Sequence, residues 1–429
     1  MRLTTLMDTT VAVVCLLVLI CLLGLMWYHL YTPVPSAIKQ KWTFRLVFIM
    51  FKVNRSVNLS ALQQAWILTL FRVFGKTLEE NMAGFTDWWL PDCAMDDKHV
   101  STTLRDFDSV PVRIHRPKFP HEAGLLPALI YFHGGGFVYG SSASYHPFTR
   151  RLCESLQIVV VSVDYRLAPV HLFPAAYEDC VTATKWLLLN GPTINVDPHR
   201  IAVAGDSAGS QLTAGVVKKI HDDPLVPDPK LHALFNPALQ FFNLSSPSHV
   251  LYDSVFNTRG GMLTCREAVS YLSTYLFGKS LECSAFIEWV VSNNVVTTEY
   301  RKQNPRYLSH VADELVPENL RAGLGVKPEK PNDPAMWAKY GHYFEDPRIS
   351  PVMADNMEGL PMAYIATGNY DCLRDDGIFY ARRLEEAGVP VRWVNYEDGF
   401  HGMLNIVFDF FDVSRRVEKD FVEFVRGYL

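Results

Sequence analysis

Hydrophobic residues fall along this 429-residue chain in three regimes. The first is a single unbroken run, VAVVCLLVLICLLGLMWY, from Val11 to Tyr28, bounded by Asp8 and His29. The second, residues 38 to 105, is polar, with amphipathic helical stretches such as LQQAWILTLFRVFGKTL. From Val110 the third regime begins. PALIYF (127–132), IVVVSV (158–163), RIAVAG (200–205) and LHALFNPAL (231–239) are short, rich in branched residues and apolar on both faces. Such runs suit strands of a parallel sheet covered on both sides. Helical stretches at 148–156, 177–190 and 208–221 separate them, and this alternation marks an open α/β sheet. It breaks at residues 241 to about 358, which are aromatic and irregular, with AVSYLSTYLFG and AFIEWVVS as the expected helices. PMAYIATG (361–368), a helix near 376–388, VRWVNYE (391–397) and a C-terminal helix then resume the rhythm. The pattern predicts a mostly parallel central sheet flanked by helices, with 241–358 inserted as a helical cap over the sheet's edge.

Eighteen helical residues rise about 27 Å, close to the hydrocarbon thickness of a bilayer. Trp27, Tyr28 and Tyr31 would sit at the interface, where such rings are favoured. The chain therefore divides into a tail (1–10), a transmembrane signal-anchor (11–31), an N-terminal cap or lid region (32–105) and a catalytic domain (106–429). A cleaved signal peptide, with Val34 and Ser36 framing the cut, is the alternative. The amphipathic helix within 32–105 is expected to pack on the main body; a lid or membrane-surface helix is the rival. Orientation is open. Arg2 precedes the anchor while Lys39, Lys41 and Arg45 follow it, which favours a cytosolic domain. The sequons at Asn54, Asn58 and Asn243 favour the lumen. Eight cysteines form no CxxC or paired pattern.

A formal charge of −5 offers no electrostatic case for a nucleic-acid partner. Aromatic residues at 13% and the apolar insertion favour an uncharged, lipophilic substrate, which a bilayer anchor would concentrate near the cleft.

The chemistry begins at GDSAG. One strand ends at Gly205, a helix begins at Ala208, and Ser207 lies on the turn between. Such a turn lifts the hydroxyl clear of the sheet and crowds the positions two before and two after, so Gly205 and Gly209 cannot carry bulk. A phosphate-binding strand-helix turn is the competing reading, but no P-loop lysine follows and GxGxxG is absent. Attack by Ser207 on a carbonyl needs preorganised N–H donors. His133-Gly134-Gly135-Gly136 begins where PALIYF ends. Gly135, Gly136 and Ala208 are the expected donors, and His133 is expected to turn the loop inward. The base should follow a strand's carboxyl end. His401 does so, after VRWVNYEDGF, whereas His115, His171, His199, His249, His310 and His342 lie in an early strand, connections or the insertion. The acid should follow the preceding strand, as Asp371 does; Asp375 and Asp376 are rivals placed where a helix starts and are expected to cap it. Serine, aspartate, histidine is the chain order of α/β-hydrolases.

HGGGF, DYRLAP (164–169), FPAA.ED (173–179), GDSAG, YDxLRDDG and DGFHG together resemble the hormone-sensitive-lipase group of α/β-hydrolases. Within that group the N-terminal run and the spacing resemble the arylacetamide deacetylase-like proteins. The resemblance covers roughly residues 105 to 429 plus the anchor. It implies the α/β-hydrolase fold, Ser207 as nucleophile with Asp371 and His401, HGGG as oxyanion hole, and a type II membrane protein with a luminal domain in the endoplasmic reticulum. It implies no metal or organic cofactor. Two departures stand out. Val138 and Gly368 occupy the places of the deacetylase's cysteine pair, and Ser210 follows GDSAG where a further glycine is common. The expected activity is hydrolysis of a small lipophilic carboxylic ester, with amide deacetylation also open. Non-catalytic binding of a small lipophile on the same fold is the alternative, and an acyltransferase a third.

Overall fold

The computed structural model describes residues 34–41, 44–45, 98–119, 124–256, 262–292, 295, 300, 303–321, 333–404 and 411–429. Eight strands form one sheet: β1 (Val100–Phe107), β2 (Val110–Pro117), β3 (Leu126–Phe132), β4 (Val159–Val163), β5 (Val196–Asp206), β6 (Leu231–Phe235), β7 (Met362–Tyr370) and β8 (Val391–Phe400). Their order is β1-β2-β4-β3-β5-β6-β7-β8. The two junctions of β2 are antiparallel and the remaining pairs parallel. The sequence boundary at 105/106 therefore falls inside β1, whose Val100 and Phe107 are buried while its middle is exposed. Only a hairpin partner defines it as a strand, and its own run of four exposed residues hides the alternation.

Helices α1 (His146–Leu156), α2 (Ala175–Asn190), α3 (Ala208–His221), α4 (Pro247–Phe256), α5 (Cys265–Phe277), α6 (Glu282–Val291), α7 (Pro334–Glu345), α8 (Arg374–Glu386) and α9 (Asp412–Arg426) are the ones that matter here. Alternate residues of each central strand feed opposite layers, because successive side chains point to opposite faces. Ile130, Val161, Val203 and Ile365 pack beneath α2, α3 and α8, and Leu129, Val160, Ala202 and Tyr364 pack beneath α1 and α9. The insertion between β6 and β7 carries α4 to α7 and its own core, built around Phe286, Trp289 and Phe344. Helix α5 starts at a capping box, with Thr264 and Glu267 each satisfying the other's backbone N–H.

Strand β6 stops at Phe235, four residues short of the apolar run. Asn236 takes a left-handed φ of 46° there, and Pro237 follows with no N–H to offer a ladder. Among the described N-terminal residues, Phe44 is fully buried against Phe400 and Phe411, at centroid distances of 5.5 and 6.3 Å. Residues 11–31, Asn54, Asn58 and the LQQAWILTLFRVFGKTL stretch lie outside the described residues. Among the described residues no helix is long and apolar enough to cross a membrane.

Candidate active site

Strand β5 delivers Ser207 at its end, with φ 53° and ψ −120°, a conformation a serine holds only where the surroundings impose it. The Ser207 N–H donates to the Phe235 carbonyl of the neighbouring strand at 2.8 Å. Crowding is as the GxSxG spacing requires. A Cβ on Gly209 would sit 2.6 Å from the His133 carbonyl oxygen and overlap that of Phe132, and one on Gly205 would overlap the Gly209 carbonyl. Ser210 fills the next position usefully: its hydroxyl donates to the Gly205 carbonyl at 2.6 Å and accepts the Phe235 N–H at 2.9 Å.

His401 stands in the turn after β8 and Asp371 in the turn after β7. The Ser207 Oγ lies 3.0 Å from His401 Nε2, and His401 Nδ1 lies 3.0 Å from Asp371 Oδ2. Asp371 is completely buried and receives two further N–H groups, Asn236 Nδ2 on Oδ2 at 2.8 Å and Leu373 N on Oδ1 at 2.9 Å. With only acceptors on the carboxylate, Nδ1 must carry the imidazole proton, which leaves Nε2 free to accept from Ser207. Burial alone would lower the His401 pKa; the Asp371 charge and its hydrogen bond, helped by Asp206 and Glu267, outweigh it, so the net direction is upward from 6.5.

The glycine loop runs beside Ser207. Gly135 and Gly136 have φ of 121° and 63°, which a side chain rarely adopts. A Cβ on Gly135 would also strike the Tyr139 carbonyl, and one on Gly136 the Tyr271 ring of α5. Among the described residues neither N–H is taken by a backbone carbonyl, so both remain available to an incoming oxygen. His133 is buried and donates from Nδ1 to the Gly134 carbonyl at 2.8 Å, with Tyr165 stacked on it at 4.2 Å.

Asp206 does more than complete a motif. It is buried, and it accepts from the Tyr131 and Tyr145 hydroxyls at 2.8 Å each and from the Gly134 N–H at 2.9 Å. Burial pushes its carboxyl up against the downward pull of those donors. The bond to Gly134 ties the glycine loop to the nucleophile turn. The cap closes over the same loop: Tyr271 meets Tyr139 edge-on, and Tyr275 stacks on Phe137 at 4.2 Å. Asn236 and these aromatic contacts carry no sequence signal, because each comes from a segment remote from the motif it serves.

Asp375 and Asp376 do not cap the helix start as expected from sequence. Leu373 is the N-cap of α8, with no side-chain cap. Both carboxylates instead face across to the cap. Asp375 accepts from the Ser248 N–H at 2.6 Å and pairs with the buried Arg374, while Asp376 accepts from the Leu239 and Gln240 N–H groups and from Gln240 Nε2. Buried acceptors satisfy orphan donors, here those of the loop after β6 for Asp376 and one in the first turn of α4 for Asp375. Of the three sequons only Asn243 is described. Its Nδ2 donates to the Val311 carbonyl at 3.0 Å and to Asp313 Oδ1 at 2.9 Å. The five described cysteines, Cys153, Cys180, Cys265, Cys283 and Cys372, form no disulfide with one another. Among the described residues no cluster of three or more His, Cys, Asp or Glu could hold a metal ion.

A family model described as the alpha/beta hydrolase fold matches residues 129–291 and 321–405. The chain is 33% identical to arylacetamide deacetylase of Oryctolagus cuniculus over 96% of this chain and 98% of that one. It is 32% identical to neutral cholesterol ester hydrolase 1 of Rattus norvegicus over 90% of this chain and 92% of the relative. Among solved structures it is similar to the hyperthermophilic esterase from the archaeon Pyrobaculum calidifontis, with 26% identity and a TM-score of 0.59 over 82% of this chain and 90% of that one.

Proposed function

We propose, from the premise that this chain belongs to the α/β-hydrolase fold family and is a carboxylic-ester hydrolase, that it works as a serine enzyme through an acyl intermediate on Ser207. The single observation that carries this reading is the hydrogen-bonded series Ser207 Oγ, His401, Asp371, at 3.0 Å and 3.0 Å, beside glycine amides that no backbone carbonyl takes among the described residues. His401 Nε2 takes the hydroxyl proton as Ser207 Oγ bonds to the acyl carbon. Asp371 holds the imidazolium as it forms. The oxygen that gains charge rests on the N–H groups of Gly135, Gly136 and Ala208. The tetrahedral adduct then collapses; its bond to the leaving alcohol breaks and His401 returns the proton to that oxygen. Water repeats the cycle on the acyl-serine, giving the acid and free Ser207.

The substrate proposed is a small, uncharged lipophilic ester, with an amide as a slower variant. The aromatic contacts of the cap's Tyr271 and Tyr275 with Tyr139 and Phe137 of the glycine loop support a lipophilic acyl or alcohol portion. The relatives' names, arylacetamide deacetylase and neutral cholesterol ester hydrolase, span the same range of chemistry. Residues 11–31 are proposed to anchor the chain in the bilayer with the hydrolase on the luminal side of the endoplasmic reticulum, and the charge-free run supports the anchor. Asn243 is a poor glycan acceptor in the folded chain, because both hydrogens of its Nδ2 are already engaged. Purified full-length chain should hydrolyse short p-nitrophenyl esters and label with a fluorophosphonate. Absence of both would overturn the serine-hydrolase reading.

A further inference from the structure

We propose that Asn236 is a positioning residue for the acid of this relay: it fixes Asp371 against His401 and draws on its charge, so that the end of β6 sets the pH range in which the imidazole works. The inference deepens the serine-hydrolase reading and rests on it. Its first support is shared geometry. Asp371 Oδ2, the oxygen that faces His401 Nδ1 at 3.0 Å, also accepts Asn236 Nδ2 at 2.8 Å. With Leu373 N on Oδ1, the carboxylate is held by donors on both oxygens and cannot rotate away from the imidazole.

The second support is topological. Strand β6 lies between β5, which leads to Ser207, and β7, which leads to Asp371. Two adjacent residues at its end reach both sides. The Phe235 carbonyl accepts the Ser207 N–H, and the Asn236 N–H donates to the Ala366 carbonyl of β7 while its side chain holds Asp371. One short segment thus fixes nucleophile and acid relative to each other.

The third support is that Asn236 is costly as a mere filler. It is buried and leaves its own Oδ1 without a hydrogen-bond partner among the described residues. An apolar residue would avoid the unmet acceptor. Only one amide orientation works, since Oδ1 turned toward Asp371 would face a like-charged oxygen.

The charged groups acting on His401 are Asp371 after β7, Asp206 at the end of β5 and Glu267 on α5. All three favour the imidazolium. Asn236 is a neutral donor competing for the Asp371 charge, so its loss leaves that charge more fully on His401. Asn236→Gly removes the amide and relieves the backbone, and Asn236→Asp keeps the shape while adding a carboxylate. The acidic limb of kcat/KM for p-nitrophenyl acetate, measured on the full chain in detergent, should move upward by about half a pH unit in Asn236→Gly and further in Asn236→Asp. For Asn236→Gly kcat should fall about tenfold with KM little changed, as expected for a group that orients a general base. Melting temperature is followed in parallel. If one variant does not fold, the limb of the other decides. Limbs that coincide with wild type overturn the proposal. The pH dependence of fluorophosphonate labelling reads the same imidazole without an ester. A chain that labels but hydrolyses no ester would sink the proposed substrate and leave Asn236 testable by labelling. A chain whose Ser207→Ala form hydrolyses at full rate would sink the serine reading itself.

Discussion

The Gly134 N–H donates to Asp206 Oδ1 at 2.9 Å, and Asp206 is the residue immediately before Ser207. The loop that offers amides to a charged oxygen and the turn that carries the nucleophile are therefore one mechanical unit. Tyr131 and Tyr145 complete it by donating their hydroxyls to the same carboxylate. Replacing Asp206 by Ala would strand the Tyr131 and Tyr145 hydroxyls, leave the Gly134 N–H only its 3.2 Å bond to the Tyr145 hydroxyl, and let the glycine loop relax. We expect kcat to drop by about 10²-fold, the scale of losing one oxyanion donor, with KM changed much less. Steady-state kinetics on a soluble ester decide it; a rise in KM alone would mean that Asp206 supports substrate binding instead.

Ser207→Ala should remove fluorophosphonate labelling and lower ester turnover by at least about 10⁴-fold. Asp371→Asn should lower turnover by a similar factor, about 10⁴, because an amide in that place favours the wrong histidine tautomer. Both are read from p-nitrophenyl ester hydrolysis, with folding checked by melting temperature. Full labelling of Ser207→Ala would move the nucleophile elsewhere.

The pH dependence has a fixed sign. Catalysis needs His401 neutral, and its pKa lies above 6.5 because Asp371, Asp206 and Glu267 overcome the effect of burial. Activity should be present at higher pH and fall as pH drops through a midpoint above 6.5, earlier than an unperturbed histidine would allow. A kcat/KM profile with its acidic midpoint below 6.5 would contradict the balance of charges described.

Asp376 and Asp375 join α8 to the entry of the cap, so their loss is a matter of stability. Asp376→Leu leaves the Leu239 and Gln240 N–H groups and Gln240 Nε2 without acceptors. Unfolding free energy should fall by about 3 kcal/mol, measured by denaturant titration. Burial raises the Asp376 carboxyl to about 8. A group shifted upward in the fold contributes stability at low pH and loses it as pH rises. Part of the wild-type stability should therefore decline between about pH 4 and pH 8, and the Leu variant should lack that component.

Glycosylation separates the three sequons. Endoglycosidase should lower the apparent mass of chain made in cells, and Asn54→Gln with Asn58→Gln should abolish the shift. Asn243→Gln alone should leave it, since the Asn243 amide is spent on Val311 and Asp313. A shift that vanishes only with Asn243→Gln would reverse that ranking.

The sheet's parallel core was legible because β3 to β7 are buried on both faces and read as continuous apolar runs. Ser207 and Asp371 were legible because each follows such a run, and His401 because it follows the half-buried β8; the structure brings the three within hydrogen-bonding distance. Strand β1 was not, since four exposed residues interrupt it and only its pairing with β2 reveals it. Asp375 and Asp376 were misread for a physical reason: a helix start supplies N–H donors, but these carboxylates are taken by donors remote in sequence, Ser248 of α4 and Leu239 and Gln240 after β6. Asn236 could not be singled out, because its partner lies 135 positions away and only the order β5-β6-β7 makes them neighbours.

Phe44 lies edge-on against Phe400, the residue just before His401, and Gln40 Oε1 accepts the N–H of Asp412 at the start of α9. This decides where the chain tolerates trimming. A shortened form made by removing the first 31 residues keeps both contacts, whereas one begun at β1 exposes the underside of the histidine turn to water. The second keeps every hydrolase motif but loses the ring that backs Phe400, the neighbour of the proton acceptor.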